Sequence, residues 1–189
     1  MRSVTYSMSM SLDGYIVGPD GSFDWPGFDE EVFRFWIDEI REVGVHLMGR
    51  RLYETMLYWE TADQDPSLDD ARLEWTALWK ALPKVVFSRT LNEAAWANTA
   101  LVKTDLLEAV RGLKRTAGAD LVIMGSGTIV SQLAQAGLVD VFQVVLNPIV
   151  LGQGRTMFEG VDHRLSLKLT DTRRFTNGNV VLSYAPAYG

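Results

Sequence analysis

The chain has 189 residues, of which 47% are hydrophobic and 22% charged, and this composition is typical of one domain with an ordinary core. Its net charge of −6 disfavours nucleic acid and anionic membrane surfaces as partners, so we expect neither. The absence of cysteine excludes disulfides and thiolate metal sites, and two histidines are too few for a histidine-rich zinc site. We therefore expect no metal.

The N-terminal segment lacks the continuous apolar stretch of a signal peptide. No window approaches the roughly eighteen apolar residues of a membrane-spanning helix. The longest candidate, residues 141–151, is interrupted by Gln143, Asn147 and Pro148. These features predict a soluble, cytoplasmic protein.

Strands and helices are predicted to alternate along most of the chain. Residues 4–10 alternate apolar and small polar side chains, which indicates a first strand before a turn at Asp13 and Gly14. A loop at 18–28, rich in Gly and Pro, precedes a helix at 29–43 with acidic residues in its first turn. Later helices are predicted at 67–82, 104–117 and 127–136, and strands at 45–48, 84–88, 101–102, 121–124 and 141–146. Ser67 and Asp70 form a weak capping pattern at the start of the first of these helices, and Thr104 is the predicted cap of the second.

The last part of the chain has a different pattern. Residues 165–172 alternate apolar and polar side chains, which indicates a strand. Asn177 and Gly178 form a strong hairpin signal, and residues 180–184 are the predicted closing strand. Together the elements predict one α/β domain over residues 1–189, with a mostly parallel central sheet and an antiparallel edge. Because an exposed sheet edge can pair with another chain, we also expect a homodimer.

One strand end has residues that suit a phosphate. In the segment 121–133, a strand meets a glycine turn that opens a helix, where backbone N–H groups and the helix dipole favour an anion. The turn lacks the third glycine of the dinucleotide fingerprint and the lysine of a P-loop. A simple chain reversal therefore stays open as an alternative for this turn, which contains Gly125, Ser126, Gly127 and Thr128.

Two earlier strand ends carry residues of the same kind. Guanidinium groups bind phosphate in bidentate geometry and would give an acidic protein a local basic patch. Ligands of α/β sheets bind beyond the carboxyl ends of the strands, so three such ends favour an extended, multiply phosphorylated ligand such as a dinucleotide. The residues are Gly49, Arg50 and Arg51 at one end, and Ser88, Arg89 and Thr90 at the other.

These motifs resemble, in their order, the dihydrofolate reductase-like superfamily, and within it the branch of the C-terminal reductase domain of riboflavin biosynthesis. The resemblance covers nearly the whole chain and rests on SLDGYI, DWP, LMGRRLYETM, KVVFSRT, LVIMGSGTIVSQL and NPIVLGQGRTMF. It implies a dihydrofolate reductase-like fold, with about eight strands flanked by helices and a C-terminal antiparallel hairpin. It also implies NADPH as cofactor, lying across the carboxyl ends of the strands.

The resemblance assigns the cofactor-binding residues by their motifs. Gly49, Arg50 and Arg51 would hold phosphates from one side, and Ser88, Arg89 and Thr90 would lie near the adenosine 2′-phosphate. The turn from Gly125 to Thr128 would hold the pyrophosphate, and the nicotinamide would lie near Met8, Met10 and Ile16. Dihydrofolate reductases usually carry Thr or Ser where this chain has Leu52, which removes a hydroxyl from the phosphate site.

The substrate side is less defined by the motifs. The acid that binds the pterin in dihydrofolate reductases lies early in the first helix, where Glu30 matches best by its spacing after Trp25. Asp29 and Glu31 are the rivals, and all three also complement the helix dipole. Further candidates are Asp13, which can bind a heterocycle or make a turn, Ser9 and Ser11, which leave room for a ring, and Trp25, which can wall a pocket or cover the core.

The resemblance implies an NADPH-dependent oxidoreductase that acts on a small heterocyclic substrate. The closest named activity is 5-amino-6-(5-phosphoribosylamino)uracil reductase of riboflavin biosynthesis, here without the motifs of a fused zinc deaminase. Two alternatives stay open: dihydrofolate reductase activity, and a nucleotide-binding module without turnover.

Overall fold

A computed structural model of the chain describes residues 1–27, 29–125 and 127–187. Within these residues the chain forms ten strands and five α-helices. The strands are β1 (Val4–Ser11), β2 (Tyr15–Val17), β3 (Val45–Gly49), β4 (Lys84–Phe87), β5 (Thr99–Val102), β6 (Leu121–Ile123), β7 (Val141–Asn147), β8 (Arg155–Thr156), β9 (Leu167–Arg174) and β10 (Val180–Pro186). The helices are α1 (Glu30–Glu42), α2 (Arg50–Thr55), α3 (Asp70–Ala81), α4 (Leu106–Arg115) and α5 (Gly127–Gln135).

Eight of these strands form one sheet in the order β5-β4-β3-β6-β1-β7-β10-β9. The neighbours from β5 to β7 pair in parallel, whereas β10 pairs antiparallel with both β7 and β9. This arrangement confirms the predicted α/β class with its mostly parallel sheet and C-terminal antiparallel hairpin. The parallel order also brings the carboxyl ends of six strands to one edge, where ligands bind in such folds.

The sheet separates two apolar layers. One layer packs α4 and α5 against β1, β6 and β7, with Tyr6, Ile123 and Phe142 completely or almost completely buried. The other packs α1 and α3 against β3 and β4 and is rich in tryptophan, including the fully buried Trp79. None of the described helices has both the length and the apolar character that crossing a membrane requires.

The helix starts differ from the predicted ones by a few residues. Asp69, not Ser67, caps α3 by accepting a hydrogen bond from the Arg72 N–H at 2.8 Å, and the Ser67 hydroxyl instead donates to Asp65. Asp105, not Thr104, caps α4. In both cases a carboxylate one or two residues after the predicted cap accepts the hydrogen bond from a free backbone N–H of the first turn.

Two pieces of structure were not predicted. Short 3₁₀ turns occupy residues 56–60 and 62–64, between α2 and α3. The strands β2 and β8 form a separate antiparallel pair, with Tyr15 opposite Thr156. These segments are too short to show a period in the sequence, and tertiary contacts fix them.

Candidate active site

The three strand ends predicted to bind phosphates lie side by side. In the sheet, β3 lies between β4 and β6, with Gly49 paired to Phe87 and Leu47 paired to Ile123. Because all three strands are parallel, the turn residues that follow them share one edge. This edge, called the phosphate edge below, consists of residues 49–51, 88–90 and the described part of 125–128.

Exposed arginines line the phosphate edge. Arg50 and Arg51 begin α2, and Arg89 follows β4. The Arg50 Nε lies 3.9 Å from the Glu54 carboxylate, while Arg51 and Arg89 have no ion pair with another described residue. The guanidinium groups of Arg51 and Arg89 are therefore free to bind an anion at the surface.

The turn after β4 is closed by its own hydroxyl. The Ser88 Oγ accepts hydrogen bonds from the N–H groups of Thr90, at 3.2 Å, and Leu91, at 3.0 Å. The Thr90 hydroxyl lies 3.4 Å from the same oxygen. Arg89 therefore lies between two residues that are held by hydrogen bonds, and it is itself exposed.

The glycine turn after β6 contains one residue that requires glycine. Gly125 has a φ of +61°, in the left-handed region where a side chain is strained, and its N–H donates to the Met8 sulfur at 3.2 Å. Gly127 is buried as the first residue of α5, and Thr128 is exposed. Ser126 lies outside the described residues.

A carboxylate lies close to the start of α5. A β-carbon added to Gly127 would meet the Glu159 side chain at 3.7 Å, and the Arg155 Nε lies 3.7 Å from the same carboxylate. An acid here repels a pyrophosphate unless Arg155 neutralises it. Arg155 pairs with this carboxylate and so is not free to bind a pyrophosphate, and the turn therefore fits an anion less well than the arginines of the neighbouring strand ends do.

An aromatic cleft of about 310 Å³ opens beside the phosphate edge, between α1 and the ends of β1 and β6. Among the predicted substrate and catalytic residues, Ser9, Trp25 and Asp29 line it. The Trp25 ring N–H is buried and has no hydrogen-bond partner among the described residues, so it is available to a ligand. This upper cleft is lined by Met8, Ser9, Ile16, Phe23, Asp24, Trp25, Pro26, Gly27, Asp29, Val32, Phe33, Trp36, Trp59, Trp75, Met124, Asn147 and Asn179.

The three acids at the start of α1 have different surroundings. Asp29 is the N-cap residue and accepts a hydrogen bond from the Val32 N–H at 2.9 Å while facing the upper cleft. Glu30 is exposed and is not part of the cleft lining. Glu31 accepts hydrogen bonds from the Thr176 N–H and hydroxyl, which lower its pKa and tie α1 to the β9–β10 turn.

Asp13 and Ser11 join two loops beyond the end of β1. The Asp13 carboxylate accepts hydrogen bonds from the Ser11 hydroxyl at 2.7 Å and from the N–H groups of Leu151 and Gly152 at 3.1 and 2.7 Å. The Ser11 bond is the largest cause of a lowered Asp13 pKa, and the two loop amides add to it. Ser11 is fully buried and also accepts from the Tyr15 N–H, so neither side chain lines the cleft.

A family model for the RibD C-terminal domain matches residues 2–181. The chain belongs to the RibD C-terminal domain family. An uncharacterized protein, YyaP, from Bacillus subtilis (strain 168) is 32% identical over 184 residues, covering 97% of this chain and 94% of that protein. The family assignment confirms the resemblance found in the sequence.

Solved structures share the fold of this RibD C-terminal domain. A diaminohydroxyphosphoribosylaminopyrimidine deaminase/5-amino-6-(5-phosphoribosylamino)uracil reductase from Thermotoga maritima superposes with a TM-score of 0.68 at 17% identity, covering 98% of this chain and 57% of that one. Dihydrofolate reductase from Enterococcus faecalis, complexed with NADP(H), superposes with a TM-score of 0.62 at 14% identity, covering 97% and 96%. At these identities the similarity establishes the fold.

The sequence did not predict the asparagine pair beside the upper cleft of this RibD C-terminal domain. The Asn147 Oδ1 accepts a hydrogen bond from the Asn179 Nδ2 at 2.8 Å, and the Asn147 amide donates to the carbonyls of Met10 and Val145. Both residues are almost fully buried. In the sequence Asn147 only interrupts an apolar segment, although a buried polar residue at the carboxyl end of a central strand is itself a signal of a site.

The aromatic walls of the cleft were also missed. The helical spacing of Phe33 and Trp36 indicates only a buried face of the first helix, and the positions of Trp59 and Trp75 in or beside helices indicate packing, or a subunit interface if they are exposed. In the RibD C-terminal domain all four line the upper cleft, and Trp75 lies 5.8 Å from Phe33 and 6.1 Å from Trp59 between ring centroids. Helical spacing identifies an inward face but does not distinguish a core from a cleft that opens above it.

Proposed function

We propose that the chain is an NADPH-dependent oxidoreductase that reduces a small heterocyclic substrate. The observation that carries this proposal is the position of three exposed arginines on the phosphate edge, next to an aromatic cleft with a carboxylate at its rim. A dinucleotide needs a basic strip for its phosphates, and a heterocycle needs flat apolar walls with a few polar groups.

The phosphate edge is suited to NADPH by its residue types. Arg50 and Arg51 would bind phosphates at the start of α2, and Arg89, with the hydroxyls of Ser88 and Thr90, would bind the 2′-phosphate that distinguishes NADPH from NADH. Gly125, Gly127 and Thr128 would lie near the pyrophosphate, with Ser126 as a further candidate. When bound, NADPH supplies a hydride.

The upper cleft would hold the ring that accepts the hydride. Trp25 and the other aromatic side chains would stack on the ring and exclude water, and Ser9 leaves room above β1. Asp29 is the acid best placed to bind the ring or a proton on it, because it faces the cleft and Glu30 does not. The contacts of Asp13 and Ser11 support a role in holding the nearby loops rather than in catalysis.

The closest named activity is 5-amino-6-(5-phosphoribosylamino)uracil reductase, through the family and the Thermotoga maritima protein. Dihydrofolate reductase activity is the second candidate, and an acid at the start of α1 facing the cleft favours it. The third candidate, a nucleotide-binding module without turnover, would use the phosphate edge but not Asp29.

The cofactor assignment can be tested by titrating the protein with NADPH and NADH. We expect NADPH to bind at least tenfold more tightly, roughly the value of one well-placed phosphate contact. Arg89→Ala should remove this preference and Arg50→Ala should weaken both cofactors. Arg115→Ala is the matched control, because Arg115 is exposed at the end of α4, away from the phosphate edge. An unchanged preference in Arg89→Ala would contradict the assignment.

The reaction can be tested by following nicotinamide absorbance with the protein and a panel of aminopyrimidines and dihydropterins. Oxidation of NADPH with the phosphoribosylaminouracil supports the first candidate, and oxidation with dihydrofolate supports the second. Tight NADPH binding without oxidation across the panel would support the module without turnover.

We also propose that the protein is a cytoplasmic homodimer. The last strand of the sheet, β9, is exposed along nearly its whole length, and its Leu169 side chain is 48% exposed. An edge strand of this kind can pair with a second copy. Light scattering tests this proposal, and Leu169→Lys should shift the mass from dimer to monomer.

A further inference from the structure

The central strand β1 has an unusual side facing α1. Tyr6 and Val4 pack into the layer of α4 and α5, whereas Thr5, Ser7 and Ser9 occupy the alternate positions. The central strands of a parallel sheet are usually apolar on both sides, because helices cover both. Three small polar residues in a row leave space between the sheet and α1.

That space is a second cavity of about 200 Å³, below the upper cleft. Trp36, Trp75 and Met124 line both, so they form a shared wall. The cavity extends toward the opposite edge of the sheet, where Glu42 and Asp120 are exposed. This inner cavity is lined by Thr5, Ser7, Trp36, Glu39, Ile40, Glu42, Val43, His46, Trp75, Trp79, Asp120, Val122, Met124, Val141 and Gln143.

His46 gives the inner cavity an unused pair of polar atoms. The residue is 2% exposed, and neither ring nitrogen has a hydrogen-bond partner among the described residues. Burial, with a further contribution from the positive charge of Lys84, lowers the His46 pKa to about 3. The ring is therefore neutral at physiological pH and offers one donor and one acceptor to whatever occupies the cavity.

The other polar groups of the cavity are connected to each other. The Ser7 hydroxyl donates to the Gln143 carbonyl oxygen at 2.5 Å, and the Gln143 amide donates to a Glu39 carboxylate oxygen at 3.0 Å. This chain fixes the Glu39 carboxylate beside the cavity. Glu39 retains further acceptor capacity, since an ionised carboxylate accepts several hydrogen bonds.

The charges of the lining have one sign. Glu39, Glu42 and Asp120 line the inner cavity, and none of its lining residues is Lys or Arg. Two buried cations near the cavity are bound to backbone carbonyls and do not line it: Lys84 donates to the carbonyls of Trp79 and Leu82, and Arg2 donates to the carbonyl of Ala119. Such a lining attracts ammonium and hydroxyl groups and repels phosphate.

We propose that the inner cavity is a second binding site, which takes a neutral or cationic chain bearing hydroxyl or amino groups and rejects a phosphorylated one. His46 and Glu39 would bind the polar groups of the chain, and Trp36 and Trp75 would cover its carbon atoms. The chain can be an unphosphorylated substituent of a ring held in the upper cleft, which the phosphoribosyl group of the first-candidate substrate is not, or a separate small molecule. The site stands independently of the cofactor assignment.

The test uses one five-carbon scaffold in three charge forms: 1-amino-1-deoxyribitol, ribitol and ribitol 5-phosphate. The chain has only two histidines, so ¹⁵N-histidine labelling gives a local readout from His46 with exposed His163 as internal reference. We expect the amine to shift the His46 ring resonances with a Kd about tenfold below that of ribitol. Ribitol phosphate should leave them unchanged, even if it binds at the phosphate edge.

Two variants identify the residues responsible. Glu39→Gln should lower the affinity for the amine about three- to tenfold, since it removes one nearby charge. Asp38→Asn is the matched control on the same helix, because Asp38 is exposed and does not line the cavity. His46→Leu should weaken all binding while the melting temperature stays constant or rises, a combination that a purely structural role does not produce.

Two outcomes would overturn the proposal. One is that neither the amine nor ribitol changes the His46 resonances, which would indicate a cavity that holds only water. The other is that ribitol 5-phosphate shifts the His46 resonances with the same affinity as the amine. A uracil carrying the ribityl chain distinguishes the two sources of the ligand. If the chain is a substituent, the linked compound binds more tightly than aminoribitol and also perturbs Trp25. If it is a separate molecule, the two compounds shift His46 equally.

Discussion

Leu52 packs directly against Gly125, so the turn after β3 and the turn after β6 are in contact. A β-carbon added to Gly125 would lie 3.4 Å from the Leu52 Cδ2. The sequence showed Leu52 as the loss of a hydroxyl from a phosphate site. In the structure the same side chain packs against the glycine turn, so Leu52 provides packing between the two turns where the resemblance implies a hydroxyl.

Gly125→Ala tests this relationship. The substitution places a side chain at a φ of +61° and within 3.4 Å of Leu52, so we expect a loss of about 1 to 2 kcal/mol in the free energy of unfolding. It should also weaken NADPH binding, because the turn must shift. Urea denaturation and a cofactor titration measure the two effects.

Gly112→Ala is the control for Gly125→Ala. Gly112 lies inside α4, and a β-carbon there would meet no atom within 4 Å. An alanine is favoured over glycine inside a helix by up to about 1 kcal/mol, so this variant should be more stable and bind NADPH normally. Equal stability of the two variants would show that the Gly125 turn is not constrained.

The sequence predicted that the three strand ends of the phosphate edge lie side by side, because its signals are local. A glycine or arginine directly after an apolar strand marks a strand end, and parallel pairing brings such ends together without further information. The upper cleft was predicted poorly, since Trp36 and Trp75 have the same spacing whether they cover a core or line a cavity. Which of Asp29 and Glu30 faces the cleft depends on the residue at which α1 begins. A shift of one residue in that start exchanges the two positions, and sequence patterns do not locate helix ends that closely.

Stability should depend on pH through His46. Its pKa is lowered from 6.5 to about 3 in the folded protein, so between these values the unfolded chain binds a proton that the folded protein does not. The contribution of His46 to the free energy of unfolding is therefore fully present above pH 6.5, and it decreases as the pH falls toward 3. Each pH unit in this window costs about 1.4 kcal/mol, or about 2 kcal/mol between pH 7 and 5.

His46→Leu isolates this contribution from that of the carboxylates. The variant also removes two buried, unpaired polar atoms, so it should be as stable as the original protein or more stable at neutral pH. Denaturation of both proteins at pH 7, 6 and 5 gives the difference, and the variant's advantage should grow as the pH falls. A constant difference across this range would contradict the buried, neutral state of His46.

Asp13 should stabilise the loop that contains Leu151 and Gly152. Asp13→Ala removes the acceptor for the N–H groups of Leu151 and Gly152, so these amides should exchange with solvent faster, as hydrogen-exchange mass spectrometry measures. Because the folded pKa of Asp13 is lowered, its contribution is present above the ordinary value of 3.8 and is lost as the pH falls through the folded pKa. Asp20→Ala, in a neighbouring turn, should leave the two amides protected.

Asp29 and Glu30 give the sharpest test of the substrate site, because they are adjacent in sequence and differ in exposure to the cleft. Asn is as good a helix cap as Asp, so Asp29→Asn should change the free energy of unfolding by less than about 0.5 kcal/mol. It should nevertheless lower kcat/KM by about 10²- to 10⁴-fold, the usual effect of removing a group that binds or transfers a proton. Glu30→Gln should leave both quantities unchanged, since Glu30 is exposed outside the cleft. If the two variants exchange these phenotypes, the catalytic acid is Glu30, as its spacing after Trp25 predicted, and α1 must begin differently when substrate is bound.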